Sequence, residues 1–230
     1  MIDNLPQHVA IIPDGTRRWA KKRGLPEMEG ARAGAESVHR IVAYLLDAGI
    51  GYLTVWGFSS DNWKRSDDQV CSLFEQAQAW IERDGPWLHR QGVRIRHIGR
   101  TDRLPPGLQQ AISYWGELTK ENTGMTLAAA FDYSGRGEVV EAVRRILKSG
   151  VSPQMVDSNL FSRYLYTDGL PDVDLVIRTG GEFRLSNFLL WQAAYSEYYF
   201  TDVLWPDFDT KELVKALAAY RQRERRFGGD

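Results

Sequence analysis

Cysteine is almost missing from this chain of 230 residues, which contains only Cys71. A single cysteine excludes an intrachain disulfide framework and a zinc site built from cysteines. The four histidines show neither HxxxH nor HExxH spacing, so we do not expect a metal site built from histidines. A free thiol is typical of a reducing compartment, and we expect a cytoplasmic protein.

Long apolar runs are also missing, since none approaches the roughly 20 residues of a membrane-spanning helix. The first six residues, MIDNLP, lack the charged-then-apolar layout of a signal peptide. We therefore expect no integral membrane segment.

Neither sign of charge dominates, because 29 basic residues stand against 30 acidic ones and the net charge is −1. Residues 17–23 are locally basic, but a chain without excess positive charge is a poor general polyanion binder. We expect no nucleic-acid partner.

Several signature motifs of common enzyme classes do not occur. The chain has no GxxxxGK[ST] phosphate loop, no GxGxxG dinucleotide fingerprint and no GxSxG nucleophile elbow. It also lacks the DDxxD signature of head-to-tail trans-prenyl synthases. These absences argue against P-loop NTPases, dinucleotide-dependent enzymes, serine hydrolases and trans-prenyl synthases.

Strand-like and helix-like segments alternate along the whole chain. The predicted strands are residues 8–13, 52–59, 93–99, 125–133, 174–179 and 198–205. The predicted helices are residues 31–48, 67–91, 107–122, 135–148, 159–166, 185–194 and 209–226. This alternation predicts an α/β fold, with a largely parallel sheet covered by helices on both faces, in one domain spanning residues 1–230.

The loops that follow four of the predicted strands share one chemical character. They are rich in Arg, Gly, Ser and Asp, and they begin at Asp14, Phe58, Asp132 and Arg178. Because ligands of parallel sheets bind beyond the carboxyl ends of the strands, these loops are expected to meet at one site. Arginines and glycine-rich backbone bind phosphate oxygens, and an aspartate among them can hold Mg²⁺. The sequence thus predicts a phosphate or diphosphate site.

Three segments resemble the cis-prenyltransferases, the family of undecaprenyl diphosphate synthase. They are HVAII followed by Asp14-Gly15, the run FSSDNWKR from Phe58 to Arg65, and the run from Ile177 to Phe208. The likeness extends from about His8 to Gly229. It implies a central, mostly parallel six-stranded sheet flanked by helices, an apolar cleft, a homodimer, and Mg²⁺-dependent joining of an allylic diphosphate to a second isoprenoid diphosphate.

The resemblance also assigns roles to individual residues. Asp14 would bind Mg²⁺ together with Glu197 and help the allylic diphosphate leave, while Arg18 and Arg65 would hold diphosphate oxygens. Ser59 and Asn62 would lie beside the reacting centre. The second diphosphate would be clamped by Arg178, Arg184 and Ser186. Further substrate contacts are expected from Gly15, Arg17, Trp19, Phe58, Ser60 and Trp63, and residues 226–229 would approach the partner subunit's site.

The first loop departs from the usual pattern of that family. Thr16 replaces an Asn, Arg17 a Gly, Glu27 an Arg and Ala31 a His. Two donors to the allylic diphosphate are lost, Glu27 adds a repelling charge, and Arg17 restores one positive charge. The Pro-Asp-Gly-Thr-Arg-Arg-Trp pattern resembles the lavandulyl and cyclolavandulyl diphosphate synthase branch.

Three functions therefore remain open. The leading one joins two dimethylallyl diphosphates head-to-middle and then cyclises the product, with Thr16 positioning a diphosphate oxygen as the base. The second is regular addition of isopentenyl diphosphate to give a short product. The third is a non-catalytic partner subunit. Trp56, Phe74 and Trp80 are the candidates for a side chain that blocks a longer product.

Overall fold

The computed structural model describes residues 5–223, which form an α/β fold around one six-stranded sheet. The strands run in the order β3-β4-β2-β1-β5-β6, and all five pairings are parallel. The strands are β1 (His8–Ile12), β2 (Tyr52–Ser59), β3 (Arg94–Ile98), β4 (Thr126–Tyr133), β5 (Leu175–Arg178) and β6 (Glu197–Phe200). The predicted fold class is confirmed.

Helices connect the first five strands in chain order, whereas β5 and β6 are connected by turns. The helices are α1 (Thr16–Lys22), α2 (Glu27–Asp47), α3 (Asp67–Arg90), α4 (Pro106–Leu118), α5 (Gly135–Ser149), α6 (Ser158–Ser162) and α7 (Thr210–Arg221). Short 3₁₀ turns cover Ser60–Lys64, Pro153–Met155 and Trp205–Asp207. No helix within residues 5–223 is long and apolar enough to cross a membrane.

The sheet buries apolar side chains on both faces, because successive strand residues point to opposite sides. On one face, Val9 and Leu53 pack with α2, α3 and α7. On the other face, Ala10 and Trp56 pack with the irregular segments around Phe188. Strands buried on both sides explain the continuous apolar runs of the sequence.

Two sequence predictions about helices are wrong. Residues 185–194 form consecutive turns, because Ser186, Asn187 and Leu189 have φ values of 52°, 73° and 43°, which an α-helix cannot contain. Residues 16–22, expected to belong to a loop, form α1. The predicted helix at 159–166 is shorter, since α6 ends at Ser162, and the last part of the predicted helix 209–226 lies outside the described residues.

A β-bulge changes the direction of side chains near the end of β2. Trp56 pairs with Ala130 and Phe58 pairs with Phe131, so Gly57 is the extra residue. A Cβ atom on Gly57 would lie 2.0 Å from the Phe131 ring, so only glycine fits there. After the bulge Phe58 faces α3, where it packs with Phe74, whereas Trp56 faces the opposite side of the sheet.

His8 is a buried histidine that links stability to pH. Its Nδ1–H donates to the Pro171 carbonyl (2.9 Å), and its Nε2 accepts from Thr54 Oγ1 (2.8 Å). Burial lowers the pKa of His8 below its usual value despite these partners and Asp174. The unfolded chain therefore takes up a proton that the folded chain resists, and stability is lost as pH falls below about 6.5.

Between pH 7.5 and pH 5 we expect His8 to lower the free energy of unfolding, as the pH falls, by at most about 1.4 kcal/mol per pH unit. Urea titrations of the wild type and His8→Gln, compared by slope against pH, measure this. His97, whose pKa burial also lowers, supplies a further contribution of the same sign in both proteins. Glu138 and Asp172, whose pKa values burial raises, contribute with the opposite sign in both proteins. Equal slopes for the two proteins would contradict the assignment to His8.

Candidate active site

Asp14 and Arg178 meet beyond the carboxyl ends of two neighbouring strands. Ile12 of β1 is in register with Arg178, the last residue of β5, and Asp14 follows two residues later. Asp14 Oδ2 accepts a hydrogen bond from Arg178 Nη2 (2.8 Å), and Oδ1 accepts from Arg18 Nη2 (3.1 Å). The main chain of Asp14 is held by Thr179 Oγ1, which accepts from its N–H and donates to its carbonyl. Hydrogen bonds therefore hold both carboxylate oxygens and the main chain of Asp14.

The electrostatics of the site keep Asp14 ionised. Burial by itself would raise the pKa of this carboxyl, but the hydrogen bond and charge of Arg178, followed by those of Arg18, outweigh it. The pKa of Asp14 therefore lies below its usual value. Its side chain is still 31% exposed, so a ligand can reach it.

Arg178 connects Asp14 to the next loop. Its side chain is 6% exposed, and Nη1 donates to the Arg184 carbonyl (2.5 Å) and to Ser186 Oγ (2.8 Å). Its Nε is buried and has no hydrogen-bond partner within residues 5–223. A buried guanidinium with an unused N–H has donor capacity left for an anion.

A glycine allows this loop to lie against the first one. Gly180 has a φ of 85°, and a Cβ atom there would lie 2.6 Å from Arg18 Nη2 and 3.0 Å from the Asp14 main chain. The side chain of Arg184 extends outward, is 59% exposed and pairs with Glu182. Of the three residues predicted to clamp the second diphosphate, Ser186 contacts Arg178 through its hydroxyl, whereas Arg184 contacts it only through its main-chain carbonyl.

The loop after β2 is a compact turn whose polar side chains shape its own backbone. Asn62 Oδ1 accepts from the N–H of Ser59 (3.0 Å), and Ser59 Oγ accepts from the N–H of Asp61 (3.1 Å). This reciprocal capping fixes the 3₁₀ turn Ser60–Lys64. Burial lowers the pKa of Arg65 at its end, as does the charge of Arg17, while Glu27 and Asp14 raise it. Arg65 therefore lies within electrostatic reach of the first loop.

Two members of this turn that were predicted to contact substrate have another partner. Ser60 Oγ and Trp63 Nε1 both donate to Asp132 Oδ1, at 2.8 and 3.0 Å. Arg103 donates to both oxygens of the same carboxylate. Sequence reasoning placed Asp132 in a site loop without assigning it a role, and it missed Arg103 altogether.

The departures in the first loop lie together where α1 and α2 contact each other. Arg17 Nε donates to Glu27 Oε1 at 3.0 Å, and both side chains are more than half exposed. The negative charge of Glu27 and the positive charge of Arg17, which were both expected to act on the substrate, therefore largely neutralise each other. Thr16, the first residue of α1, is half-buried, and its Oγ1 lies 3.7 Å from the position that a Cβ atom on Gly34 of α2 would take.

Trp19, another predicted substrate contact, is held by a second carboxylate. Its Nε1 donates to Asp207 Oδ1 (2.6 Å), and the Arg23 guanidinium lies 4.3 Å from its ring centre while also bonding Asp207. Gly15 precedes α1 with a φ of 101°. Residues 226–229, expected near a partner's site, lie outside the described residues.

Glu197 and Asp14 are not brought together within one chain. Glu197 begins β6 in register with Leu175, whereas Asp14 lies beyond the end of β1, past the level of Arg178. Three residue steps of parallel strand, roughly 10 Å, already separate Leu175 from Arg178. A single ion therefore cannot bind both carboxylates of one chain.

Asp14 alone fits a magnesium ion. Residues 5–223 contain no group of three or more His, Cys, Asp or Glu side chains suited to a metal. Mg²⁺ is commonly held by one or two carboxylates together with substrate phosphates and water. An ionised, partly exposed Asp14 beside arginines suits that mode, in which the substrate supplies the other ligands.

Comparison with known proteins places the chain in a family. The family model described as "Putative undecaprenyl diphosphate synthase" matches residues 12–228. The isoprenyl transferase of Fusobacterium nucleatum subsp. nucleatum is 49% identical over 229 residues, covering 100% of this chain and 98% of that protein. The isoprenyl transferase of Thermotoga maritima is 48% identical, covering 98% of this chain and 97% of its own length.

Two solved structures have the same fold over nearly their full lengths. Lavandulyl diphosphate synthase from Lavandula x intermedia, in complex with dimethylallyl diphosphate, has a TM-score of 0.95 and is 40% identical, covering 98% of this chain and 99% of that one. A probable undecaprenyl diphosphate synthase from Campylobacter jejuni has a TM-score of 0.83 and is 29% identical, with the same coverage. The chain belongs to the cis-prenyltransferase family. It is an isoprenyl transferase, so the expectation of an enzyme, rather than a non-catalytic subunit, is confirmed.

Proposed function

We propose that this enzyme joins two dimethylallyl diphosphates head-to-middle and cyclises the product to a cyclolavandulyl-like monoterpene diphosphate. The observation that carries the proposal is the direct pairing of Arg17 with Glu27 at 3.0 Å. Arg17 and Glu27 both depart from the usual family pattern, and they contact each other. Substitutions fixed by independent drift would be expected at positions that do not contact each other. The likeness to lavandulyl diphosphate synthase bound to dimethylallyl diphosphate supports the same substrate.

The two diphosphates would occupy different halves of the site. Arg18 and Arg65, beside Asp14, would hold the molecule that ionises, and Arg178, Arg184 and Ser186 would hold the second molecule. Ser59 and Asn62 would lie near the reacting carbon, with Phe58 below the turn. When bound at Asp14, Mg²⁺ would neutralise charge on the leaving diphosphate.

The reaction proceeds by a small number of bond changes. The C–O bond of the first substrate breaks, and its electron pair leaves with the diphosphate, whose growing charge the arginines stabilise. The double bond of the second substrate attacks the allylic cation and leaves a tertiary cation. A diphosphate oxygen removes a proton, which gives the branched product. Return of that proton to one double bond makes a new tertiary cation, which the other double bond attacks to close the ring. Loss of a proton from the ring-closed cation, again to a diphosphate oxygen, gives the cyclic product. The cations must be kept from water, and the cluster of Phe58, Trp63 and Phe74 beside the turn after β2 is the candidate apolar wall.

Thr16 would position the diphosphate oxygen that accepts the proton, because it begins α1 only two positions after Asp14. We expect Thr16→Ala to lower kcat about tenfold or more and to change the ratio of branched to cyclic product, within the usual range for proton-transfer groups. Thr16→Ser keeps the hydroxyl and serves as the control. An unchanged rate and product ratio in Thr16→Ala would remove Thr16 from this role.

The alternative is regular cis-addition of isopentenyl diphosphate to a short product. It is favoured by the name of the relatives, isoprenyl transferase, at 48–49% identity. Purified enzyme with Mg²⁺ should therefore be given dimethylallyl diphosphate alone, and in a second reaction together with isopentenyl diphosphate. A branched or cyclic ten-carbon alcohol after phosphatase treatment of the first reaction supports the proposal. Linear cis products formed only in the second reaction would overturn it.

The charge pair offers a direct test of specificity. Replacing Arg17 by Gly together with Glu27→Arg restores the usual family pattern at both positions. We expect this double variant to use isopentenyl diphosphate at least about tenfold better, because discrimination by a charged site of this kind is worth about 1.4 kcal/mol or more. Glu27→Gln, which removes one charge without adding a donor of the family's type, is the matched control. An unchanged substrate preference in the double variant would count against the pair as a determinant.

A homodimer is part of the proposal. β6 is an edge strand, and exposed aromatic residues surround it: Phe183 is 75% exposed and Tyr195 is 68% exposed. Apolar surface of this kind is typical of protein interfaces. Light scattering coupled to size exclusion should give about twice the monomer mass of 26.2 kDa.

A further inference from the structure

Asp132 is a fully buried carboxylate at the end of β4. It is 1% exposed, and its φ of 47° turns the chain sharply at that point. Four hydrogen bonds reach its two oxygens, from Ser60 Oγ (2.8 Å), Trp63 Nε1 (3.0 Å), and Arg103 Nε and Nη2 (2.8 and 2.5 Å). Burying a charge without such partners is costly, so the four donors and the carboxylate are mutually dependent.

The donors come from two separate loops. Ser60 and Trp63 are the first and fourth residues of the turn after β2, and Arg103 lies in the loop after β3. The Arg103 guanidinium also lies 5.0 Å from the centre of the Trp63 ring. The Asp132 carboxylate thereby connects the carboxyl ends of three strands, β2, β3 and β4.

The bonded turn is the one that carries proposed catalytic side chains. Asn62 lies between Ser60 and Trp63, and Arg65 is the first residue after the turn. We propose that Asp132 and Arg103 are positioning residues, which set the place and orientation of Asn62 and Arg65 through the indole of Trp63 and the hydroxyl of Ser60. On this assignment, Ser60 and Trp63 act through Asp132 and do not bind the diphosphate.

A purely apolar filling of this corner would keep the fold but would not aim the turn. The turn is short, and its internal bonds fix its shape. Its direction relative to the sheet depends on contacts outside the turn, and the Trp63 ring packs on Phe58 and Phe74 without a directional bond. The bidentate contact from Arg103 and the two contacts from the turn supply that direction, since each has a defined geometry. A displacement of about 1 Å in a positioned group can cost roughly a hundredfold in rate.

The test measures kcat and KM for Asp132→Asn, which keeps the shape of the side chain but loses the ion pair with Arg103. We expect kcat/KM to fall about a hundredfold, mainly in kcat, with circular dichroism unchanged. The milder Trp63→Phe keeps a ring and removes only the indole donor, and it should lower kcat about tenfold. Asp84→Asn is the matched control, because Asp84 is also a buried carboxylate bonded to an arginine, Arg83, but lies near the far end of α3.

A mutant cycle separates positioning from general stability. In a background with both Asn62→Ala and Arg65→Met, Asp132→Asn should lower kcat by less than about threefold, since both groups it positions are gone. A full hundredfold effect in that background, or an equal loss of activity in Asp84→Asn, would overturn the proposal.

This inference depends on the site proposed above but not on which product forms. The rates are measured as diphosphate release with whichever substrates the wild type uses. A wild type that makes linear products would reject the irregular condensation and leave this test intact. Normal kcat in both Asp132→Asn and Trp63→Phe would reject the positioning role alone.

Discussion

Replacing Arg178 by Met is expected to lower kcat/KM by about three orders of magnitude, because loss of one preorganised donor to developing charge already costs about 10²–10³-fold. Arg178 bonds Asp14 Oδ2, the Arg184 carbonyl and Ser186 Oγ, so its loss loosens both halves of the site together. Asp14 would also lose the strongest contribution that lowers its pKa.

Arg178→Lys separates charge from geometry in the same position. A lysine keeps one positive charge but cannot bond Asp14 and the Ser186 loop in two directions, so we expect it to recover only a minor part of the activity. Arg96→Met is the matched control, since Arg96 is also substantially buried, and it bonds the main chain at Asp168 and Tyr166 away from the site. An unchanged kcat in Arg178→Lys, with only KM raised, would show that catalysis needs the positive charge at this position and not the guanidinium geometry.

The strands could be predicted from the sequence because both faces of the sheet are buried. All five residues of β1 and all four of β5 are buried, and apart from His8 and Arg178 at their ends both strands are apolar runs. The same signal failed at residues 185–194, where an apolar run is folded into turns by positive φ values. Composition cannot distinguish a buried helix from buried turns when the contacts that hold them come from distant strands.

The sequence could predict which loops form the site, but not which side chains within those loops pair with each other. Strand order places Asp14 and Arg178 at one edge, which the sequence indicated. The Asp132–Arg103 contact joins residues 29 positions apart in different loops, and no local pattern announces it. The pairing of Arg17 with Glu27 also changes the meaning of two charges that sequence analysis treated as acting on the substrate.

The candidates for a block on product length were also divided by the fold. Phe74 packs with Phe58 and Trp63, between α3 and the turn after β2. Trp80 packs against the larger cluster that lies beneath α2 and α3. Trp56 lies on the other face and stacks on Phe188, with ring centres 4.8 Å apart and planes 10° apart. These side chains therefore cannot all line one cavity, and the bulge at Gly57 is the reason.

Trp56→Ala is expected to destabilise the fold by about 3 kcal/mol, the lower end of the cost of truncating a packed aromatic residue. Product length should stay the same, because Trp56 stacks on Phe188 on the face of the sheet opposite to the cluster of Phe58, Trp63 and Phe74 beside the proposed catalytic turn. Thermal unfolding and product analysis of the same preparation measure both quantities.

Trp56→Phe provides the control for this prediction. It keeps a ring against Phe188 and removes the buried Nε1–H, which has no partner within residues 5–223. Because an unsatisfied buried donor is itself unfavourable, its removal offsets part of the lost contact area, and the cost should stay under about 1.5 kcal/mol. A longer product from Trp56→Ala, with the fold intact, would instead place Trp56 at the end of the substrate cavity and reverse the assignment of faces.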